Sequence, residues 1–404
     1  MQTEFLGSIL DINADEWDSL WASEYPFIKH GFLALLEKSG CTTSETGWTP
    51  CHLLLRGEEQ KIMAAMPLYQ KHHSYGEYVF DWGWADAYHR SGLEYYPKLL
   101  NAIPFTPATG PRVTFAKGLS EVKKQQCTKL LFNAVKEKTS QSAGSGFHSL
   151  FPNADNRRLF SAEQFVQRQG CQFHWFNQGY RHFDDFLASF SSRKRKNIKK
   201  EREKIRAQNI QLQMRKAGDL STEDWQRFYW LYQRTYFKRS GHQGYLSKAF
   251  FMAIASTLPD NILLCTAHEN SLDSEILAAA LYFYDSTTLY GRYWGAMAEL
   301  DGLHFEACYY QGIEYAIANG LQRFDPGAQG EHKIQRGFTP VKTCSYHRLA
   351  QPQFHQAVAQ FAREERQHNN AYCLDGRTYL PFKEGVECVD ENVLFDTSPS
   401  QSVL

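Results

Sequence analysis

The chain of 404 residues has no long apolar run, no excess of either charge and no paired-cysteine spacing. Its longest hydrophobic stretches, such as "ILAAALYFY" at 276–284, fall short of the ~18 to 20 residues that cross a bilayer. The opening residues MQTEFLGSILDINADEW contain neither a basic n-region nor an apolar h-region, so a cytoplasmic protein is expected. With 44 Lys+Arg against 44 Asp+Glu, no global field draws the chain to nucleic acid, and any electrostatic attraction must be local. Nine cysteines, an odd number without a CxxC pair, fit reduced thiols better than a disulfide framework. Metal-ligand spacing is missing too: His72 and His73 are adjacent, and His332 has no ligand-type residue four positions on.

Aromatic residues are plentiful, at 15% of a chain that is 43% hydrophobic, and the length suits two or more domains at ~100–200 residues each. An ordered internal repeat supports this division. "DINADEWDSLW" (11–21) matches "GDLSTEDWQRFYW" (218–230), each a cap and acidic first turn leading into Trp17 or Trp225, 208 residues apart. "HLLLRGEEQKIMAAMPLY" (52–69) matches "ILLCTAHENSLDSEILAAALYF" (262–283), both read as buried hairpins. The stretches "YVFDWGWADAY" and "LYGRYWGAMAE" follow as aromatic strands. "SGLEYYPKLLNAI" (91–103) and "DGLHFEACYYQGIEYAI" (301–317) follow as helices, and "FTPATGPR" (105–112) stands opposite "FDPGAQGE" (324–331), with Phe105 and Phe324 separated by 219 residues. Helix, hairpin, aromatic strand, crossover helix, strand and loop describe an α/β unit on a mixed sheet, present twice.

In the segment "FDPGAQGEHKIQRGFTP" (324–340), three glycines free the backbone beside Glu331, His332, Lys333 and Arg336, the residue types that bind charge and move protons. A solvated surface turn is the bland alternative. Period-two alternation in "GRYWG" (291–295) places Arg292 and Trp294 on one face of a strand and Tyr293 on the other. The same alternation in "DWGWADAY" sets Trp82, Trp84 and Asp86 together beside Asp81, a face suited to an amine-bearing or sugar-like acceptor or else to an aromatic core. The run "SSRKRKNIKKEREKIRAQ" (191–208), with nine Lys/Arg against two acids, reads as a basic helix in which Arg193, Arg195, Lys196 and Lys199 are phosphate-binding candidates. A solvated face is again the alternative. Glu306, early in the second crossover helix, reads as a residue that favours the helix dipole.

On the motifs at 73–112, 191–204 and 291–340, the sequence resembles the FemAB-like "peptidoglycan biosynthesis/recognition" family of GNAT-superfamily proteins. The resemblance covers most of residues 5–370. It implies α/β (α+β mixed sheets) in two tandem GNAT-like units of FemAB-type architecture. The expected boundaries are 1–170 for acceptor recognition, 171–350 for catalysis and 351–404 for a C-terminal helix and mobile tail. It further implies an N-acyltransferase that moves an acyl or aminoacyl group to an amine of a cell-envelope or lipid precursor. No permanently bound cofactor is implied; acyl-CoA or aminoacyl-tRNA would be the donor cosubstrate, and contact with the inner membrane face is an expected partner surface. A non-catalytic precursor-recognition protein is the competing class.

Aminolysis needs a proton acceptor near neutrality and donors for an oxyanion. His332, whose ordinary pKa is ~6.5, fits the first task. Lys333 and Arg336 fit the second, and "HKIQRGF" resembles a late basic segment of the Fem enzymes with Lys333 as the matching position. Glu331 completes the catalytic candidates. Asp325, Gln329, Arg292, Tyr293 and Trp294 are substrate-binding candidates in the second unit; Asp81, Trp82, Trp84, Asp86 and Arg112 are those in the first. The ordinary coenzyme A pyrophosphate loop is absent before the second crossover helix. Trp82, Trp84, Tyr293, Trp294 and Phe305 are therefore expected to form one apolar surface for a long acyl chain, each buried methylene being worth ~0.8 kcal/mol.

Overall fold

The computed structural model describes residues 1–386 except Gln329; that candidate, and the tail expected to be mobile, lie outside the described residues. The chain divides into two compact units. The first is Met1–Cys171 with Lys342–Ala371, and the second is Gln172–Val341 with the described residues from Tyr372 onward. The segment 342–371 thus belongs to the first unit, which corrects the expected boundary at 350. The first unit needs it because the strand Ser345–Leu349 pairs with 146–150 and completes that unit's sheet.

In the first unit β1 (Gln2–Leu6), β3 (His52–Arg56), β4 (Ile62–Met66) and β7 (Thr114–Phe115) form an antiparallel sheet. A second sheet runs β2 (Trp48–Pro50), β5 (Tyr69–Lys71), β6 (Lys98–Asn101), β8 (Gly146–Leu150) and the later part of β15 (Thr339–Leu349). Only β6 and β8 pair in parallel. The helix Glu121–Gln141 lies between them in sequence, capped by Ser120 on Lys123 N and burying Cys127, Leu131, Phe132 and Val135.

In the second unit the order is β10 (Ile210–Lys216), β11 (Ile262–Glu269), β12 (Ile276–Tyr284), β13 (Thr288–Ala296), β14 (Arg323–Asp325) and the later part of β9 (Val166–Phe176). Here β13 and β14 are the parallel pair. Their crossover helix runs from Leu303 to Ala318 and widens into a π-turn over Glu306–Tyr310.

Helices that bury Trp17 and Trp225 precede the hairpins β3–β4 and β11–β12 in the two units, as expected. The expected match between the units then fails in the first unit. Trp82–Arg90 is a helix, because the spacing of four between Trp84 and Tyr88 buries both rings and overrides the i, i+2 alternation. Residues 91–103 are not a helix: Pro97 disfavours helical backbone at Tyr96, and Lys98–Asn101 becomes β6. The counterpart of the second unit's late loop is therefore the exit of β8 rather than 105–112.

Each unit carries a buried polar layer on the sheet beside its parallel pair. In the first, Lys98 Nζ donates to Glu77 at 2.8 Å, to Ser74 Oγ at 2.9 Å and to Asp81. Tyr95 OH donates to Asp81 at 2.7 Å, and His148 and His347, opposite each other on β8 and β15, meet through their Nδ1 atoms at 2.7 Å. Burial pushes Glu77 up to about 7 against the pull of Lys98, whereas Lys98 overcomes burial at Asp81 and holds that carboxyl below its usual range. Asp81, expected to bind substrate, is thus a partner of Lys98. Removing the cation would strand two carboxyls. Lys98→Met is predicted to lower unfolding stability by ~3–5 kcal/mol at pH 7.5, with a smaller loss at pH 5.5, where protonated carboxyls need no counter-ion. Urea denaturation at both pH values reads this, and a loss below ~1 kcal/mol at pH 7.5 would show that the trio does not hold the 74–81 loop.

Candidate active site

Parallel pairing of β13 with β14 covers three positions, Thr288 with Arg323, Leu289 with Phe324 and Tyr290 with Asp325. From Gly291 to Ala296, β13 continues beside β12 alone, and a wedge opens between it and the chain leaving β14. A bulge lies at the apex: Leu281 faces Tyr293 and Tyr282 faces Gly291, so Arg292 is the extra residue and its side chain is redirected. Arg292 Nη2 reaches Asp325 Oδ2 at 3.0 Å, with both side chains 2% exposed. Asp325 Oδ1 accepts from Gly327 N at 2.9 Å and lies 3.7 Å from His174 Nε2. Although burial opposes it, Arg292 holds the Asp325 carboxyl well below the usual carboxylate range, and burial in turn lowers His174 to about 3. Arg292 and Asp325 are therefore partners within the apex.

Beyond Gly327 the chain turns through a 3₁₀ segment, Glu331–Arg336, between two glycines of positive φ. At Gly330, with φ 115°, a Cβ would stand 2.5 Å from the His332 ring. The turn brings Lys333 under the wedge, 2% exposed, where Nζ donates to Gly327 O at 2.8 Å. Burial lowers the Lys333 ammonium to about 8, with Asp325 opposing the shift and Arg292 adding to it. His332 is exposed at the rim, and its Nε2 lies 2.9 Å from Tyr309 OH, which lies 3.3 Å from His304 Nε2. Desolvation, Arg336 and Lys333 lower His332 to about 4; desolvation, Arg239 and the neighbouring cations lower His304 to about 3. Both rings are neutral at pH 7. A phenol has one proton, so Tyr309 donates to one imidazole and accepts from the other, and a proton arriving at either ring has a path through it.

The remaining candidates separate. Arg336, expected to stabilise an oxyanion, is buried, stacks 3.4 Å from the Phe305 ring centroid and donates to His332 O and Glu201. It positions the turn. Glu331 is exposed and accepts from Tyr372 OH, so it takes no part in the relay. Tyr293 is buried against Tyr232 and Phe251, whereas Trp294 turns to the opposite cluster and contacts the His304 ring at 5.4 Å. The basic segment forms the helix Ser192–Ala207, seated by Ile198 and Ile205, with Arg193, Lys196 and Lys199 exposed and Arg195 partly so. Its inner residues Glu201 and Arg202 grip the site: Glu201 takes bonds from Arg336 and Tyr310, and Arg202 forks onto Glu306 and Glu314. Glu306 is thus a buried ion-pair partner rather than a dipole-compensating residue.

In the first unit Trp82 is exposed on its helix, Trp84 packs against the His347 ring, and Asp86 pairs with Arg90. Arg112 is fully buried and donates to the carbonyls of Leu150, Pro111 and Ala108. It fastens the 108–112 segment, in which Gly110 bridges Pro152 at the exit of β8. Among the described residues no such bridge caps the exit of β14. Of the second unit's three aromatics expected in one acyl surface, Trp294 and Phe305 adjoin the wedge, whereas Tyr293 packs on the other face of β13; in the first unit Trp82 is exposed and Trp84 buried, so neither unit gathers its aromatics into one surface.

A mixed sheet whose parallel pair splays over a buried cation, repeated along the chain with one repeat closed by its own loop, defines a tandem GNAT-type fold. The chain belongs to the FemAB-like family of peptidoglycan biosynthesis/recognition proteins, whose model matches residues 8–384. Among solved structures, FemX is similar with 11% identity over 89% of this chain and 100% of its own, at a TM-score of 0.52. L-PGS from Bacillus licheniformis has 11% identity over 81% and 94%, at 0.47, and Saccharomyces cerevisiae N-myristoyltransferase with bound myristoyl-CoA has 13% over 86% and 82%, at 0.40. At these identities the likeness is one of fold. No curated sequence matches the chain.

The geometry of the turn yields a direct check. Gly330→Ala is predicted to cost ~1–3 kcal/mol, because an L side chain is strained at this φ and the new methyl displaces the His332 ring. Urea denaturation reads the first effect and the His332 ring resonances the second; unchanged resonances would contradict the placement.

Proposed function

We propose that the second unit transfers an acyl or aminoacyl group from an activated ester or thioester to an amine of a cell-envelope or lipid-linked precursor. The observation that carries this reading is Lys333, a buried ammonium lowered to about 8 at the point where β13 leaves β14. In this reading the neutral amine attacks the carbonyl carbon, the C–N bond forms, and the ester oxygen or thioester sulfur departs. One ammonium hydrogen of Lys333 is engaged by Gly327 O, and the others serve the oxyanion. The amine proton enters the His332–Tyr309–His304 chain and leaves with the departing group or to solvent. Family membership supports the envelope setting, and the exposed Arg193, Lys196 and Lys199, with Arg195, offer a surface for phosphates of the donor, tRNA included, or for anionic lipid at the inner membrane face. No helix among the described residues is long and apolar enough to cross a membrane. A pure recognition role gives no reason for a near-neutral lysine beneath an open wedge.

The test compares muropeptides and amine-bearing lipids of a deletion strain with its parent by mass spectrometry. An N-acylated or aminoacylated species should vanish and return with the wild-type gene but not with Lys333→Ala. Full restoration by Lys333→Ala would reject the site. With the substrate so found, Lys333→Ala should lower kcat by ~10²–10³-fold, the usual effect of losing one oxyanion donor. kcat/KM should fall below pH 4, where His332 takes a proton and ceases to accept one, and above pH 8, where Lys333 loses its charge.

A further inference from the structure

The long helix Thr222–Ser240 packs directly on the end of β13. A Cβ on Gly295 would stand 2.4 Å from the Leu231 backbone, Ala296 N donates to Thr235 Oγ1 at 3.2 Å, and Arg234 Nε donates to Met297 O at 3.3 Å. Arg239 lies four residues beyond Thr235, hence on the same helix face and one turn further, past Ala296 where the strand has ended. This register carries it toward the mouth of the wedge, and its charge bears on His304, Cys308 and Tyr309. The neighbouring cations are committed: Lys238 pairs with Glu299, and Arg234 is bound to the Met297 carbonyl. Arg239 is exposed and has no ion-pair partner among the described residues, although it lies within electrostatic range of Glu299. His304 Nδ1 is a second unsatisfied group: it is buried and makes no hydrogen bond, while Nε2 faces Tyr309 and the ring contacts Trp294.

We infer that Arg239 and His304 form a subsite for an anionic oxygen group, a carboxylate or a phosphate, carried by a substrate of the second unit. The inference rests on the wedge being the transfer site. A guanidinium at the rim attracts the anion, the indole of Trp294 forms an apolar wall, and His304 Nδ1–H donates in the tautomer whose Nε2 accepts a hydrogen bond from Tyr309 OH, the Tyr309 oxygen accepting in turn from His332 Nε2–H. Substrate binding would thereby set the direction of the relay: an anion at Nδ1 fixes the tautomer in which His304 carries its proton on Nδ1 and accepts from Tyr309 OH at Nε2, and His332 then donates its own Nε2–H to the Tyr309 oxygen.

The experiment titrates the full chain, with ¹⁵N-labelled histidine, with inorganic phosphate and separately with acetate, following the His304 ring by NMR. At least one anion should shift this resonance saturably and raise its protonation midpoint. Arg239→Ala should weaken that binding at least ten-fold, Arg239→Lys should recover part of it, and Lys248→Ala on the next helix should leave it unchanged. The anion that binds distinguishes the phosphate source from the carboxylate source. Absence of a saturable His304 shift with either anion, or equal affinity in the wild type and Arg239→Ala, overturns the subsite. Anion binding needs no turnover, so its failure is separable from failure of the transferase reading, which the Lys333 variant tests.

Discussion

The buried pair between Arg292 and Asp325 is the interaction on which the second unit's site depends. A regular β13 would continue hydrogen bonding beside β14; the bulge breaks that register and delivers a guanidinium to the carboxylate at the last paired position. Two charges this deep persist only when matched, and removal of either costs several kcal/mol. Their pairing fills the wedge apex with matched charge. It also leaves Lys333 without a carboxylate of its own among the described residues, so its buried ammonium rests on a carbonyl and burial lowers it. The lowered lysine, the neutral histidines and the open strand edge follow from that arrangement.

The two units solve the same topological problem differently. Both splay after a parallel pair and both bury a polar layer there. In the first, Arg112 draws 108–112 against the exit of β8, and the ammonium of Lys98 is enclosed by Glu77, Asp81 and Ser74. In the second, the corresponding exit carries a glycine-rich turn. One copy is closed by its own chain and the other is left open, and this difference is what favours the second unit in the proposed reading.

Much of the second unit was legible in sequence. The hairpin, aromatic strand, crossover helix and late loop all lie where periodicity placed them, and Arg292, Asp325, His332 and Lys333 converge. The relay was not legible, because His304 and Tyr309 are five residues apart, and an ordinary helix brings together positions three or four apart. Only the π-turn at Glu306–Tyr310 adjoins those side chains, and no residue type in "LHFEACYY" announces it. In the first unit, the alternation of Trp82, Trp84 and Asp86 imitates a strand, and the competing spacing of Trp84 with Tyr88 is decided by packing. Asp81, beside the aromatic face, and Arg112, in the expected late loop, read as ligand anchors in sequence; the partners that occupy them include Lys98 and Leu150, 17 and 38 residues away, which spacing along the sequence does not reveal.

The central claim is that Lys333 is a buried, near-neutral ammonium poised at the wedge. Its titration in the folded protein, followed by NMR of ¹⁵N-labelled lysine side chains and assigned through Lys333→Arg, addresses this without a substrate. The account predicts a midpoint near 8 for this resonance, below those of the exposed lysines. A midpoint at the ordinary ~10.4 would mean that water reaches the ammonium freely, and the site as described would not exist.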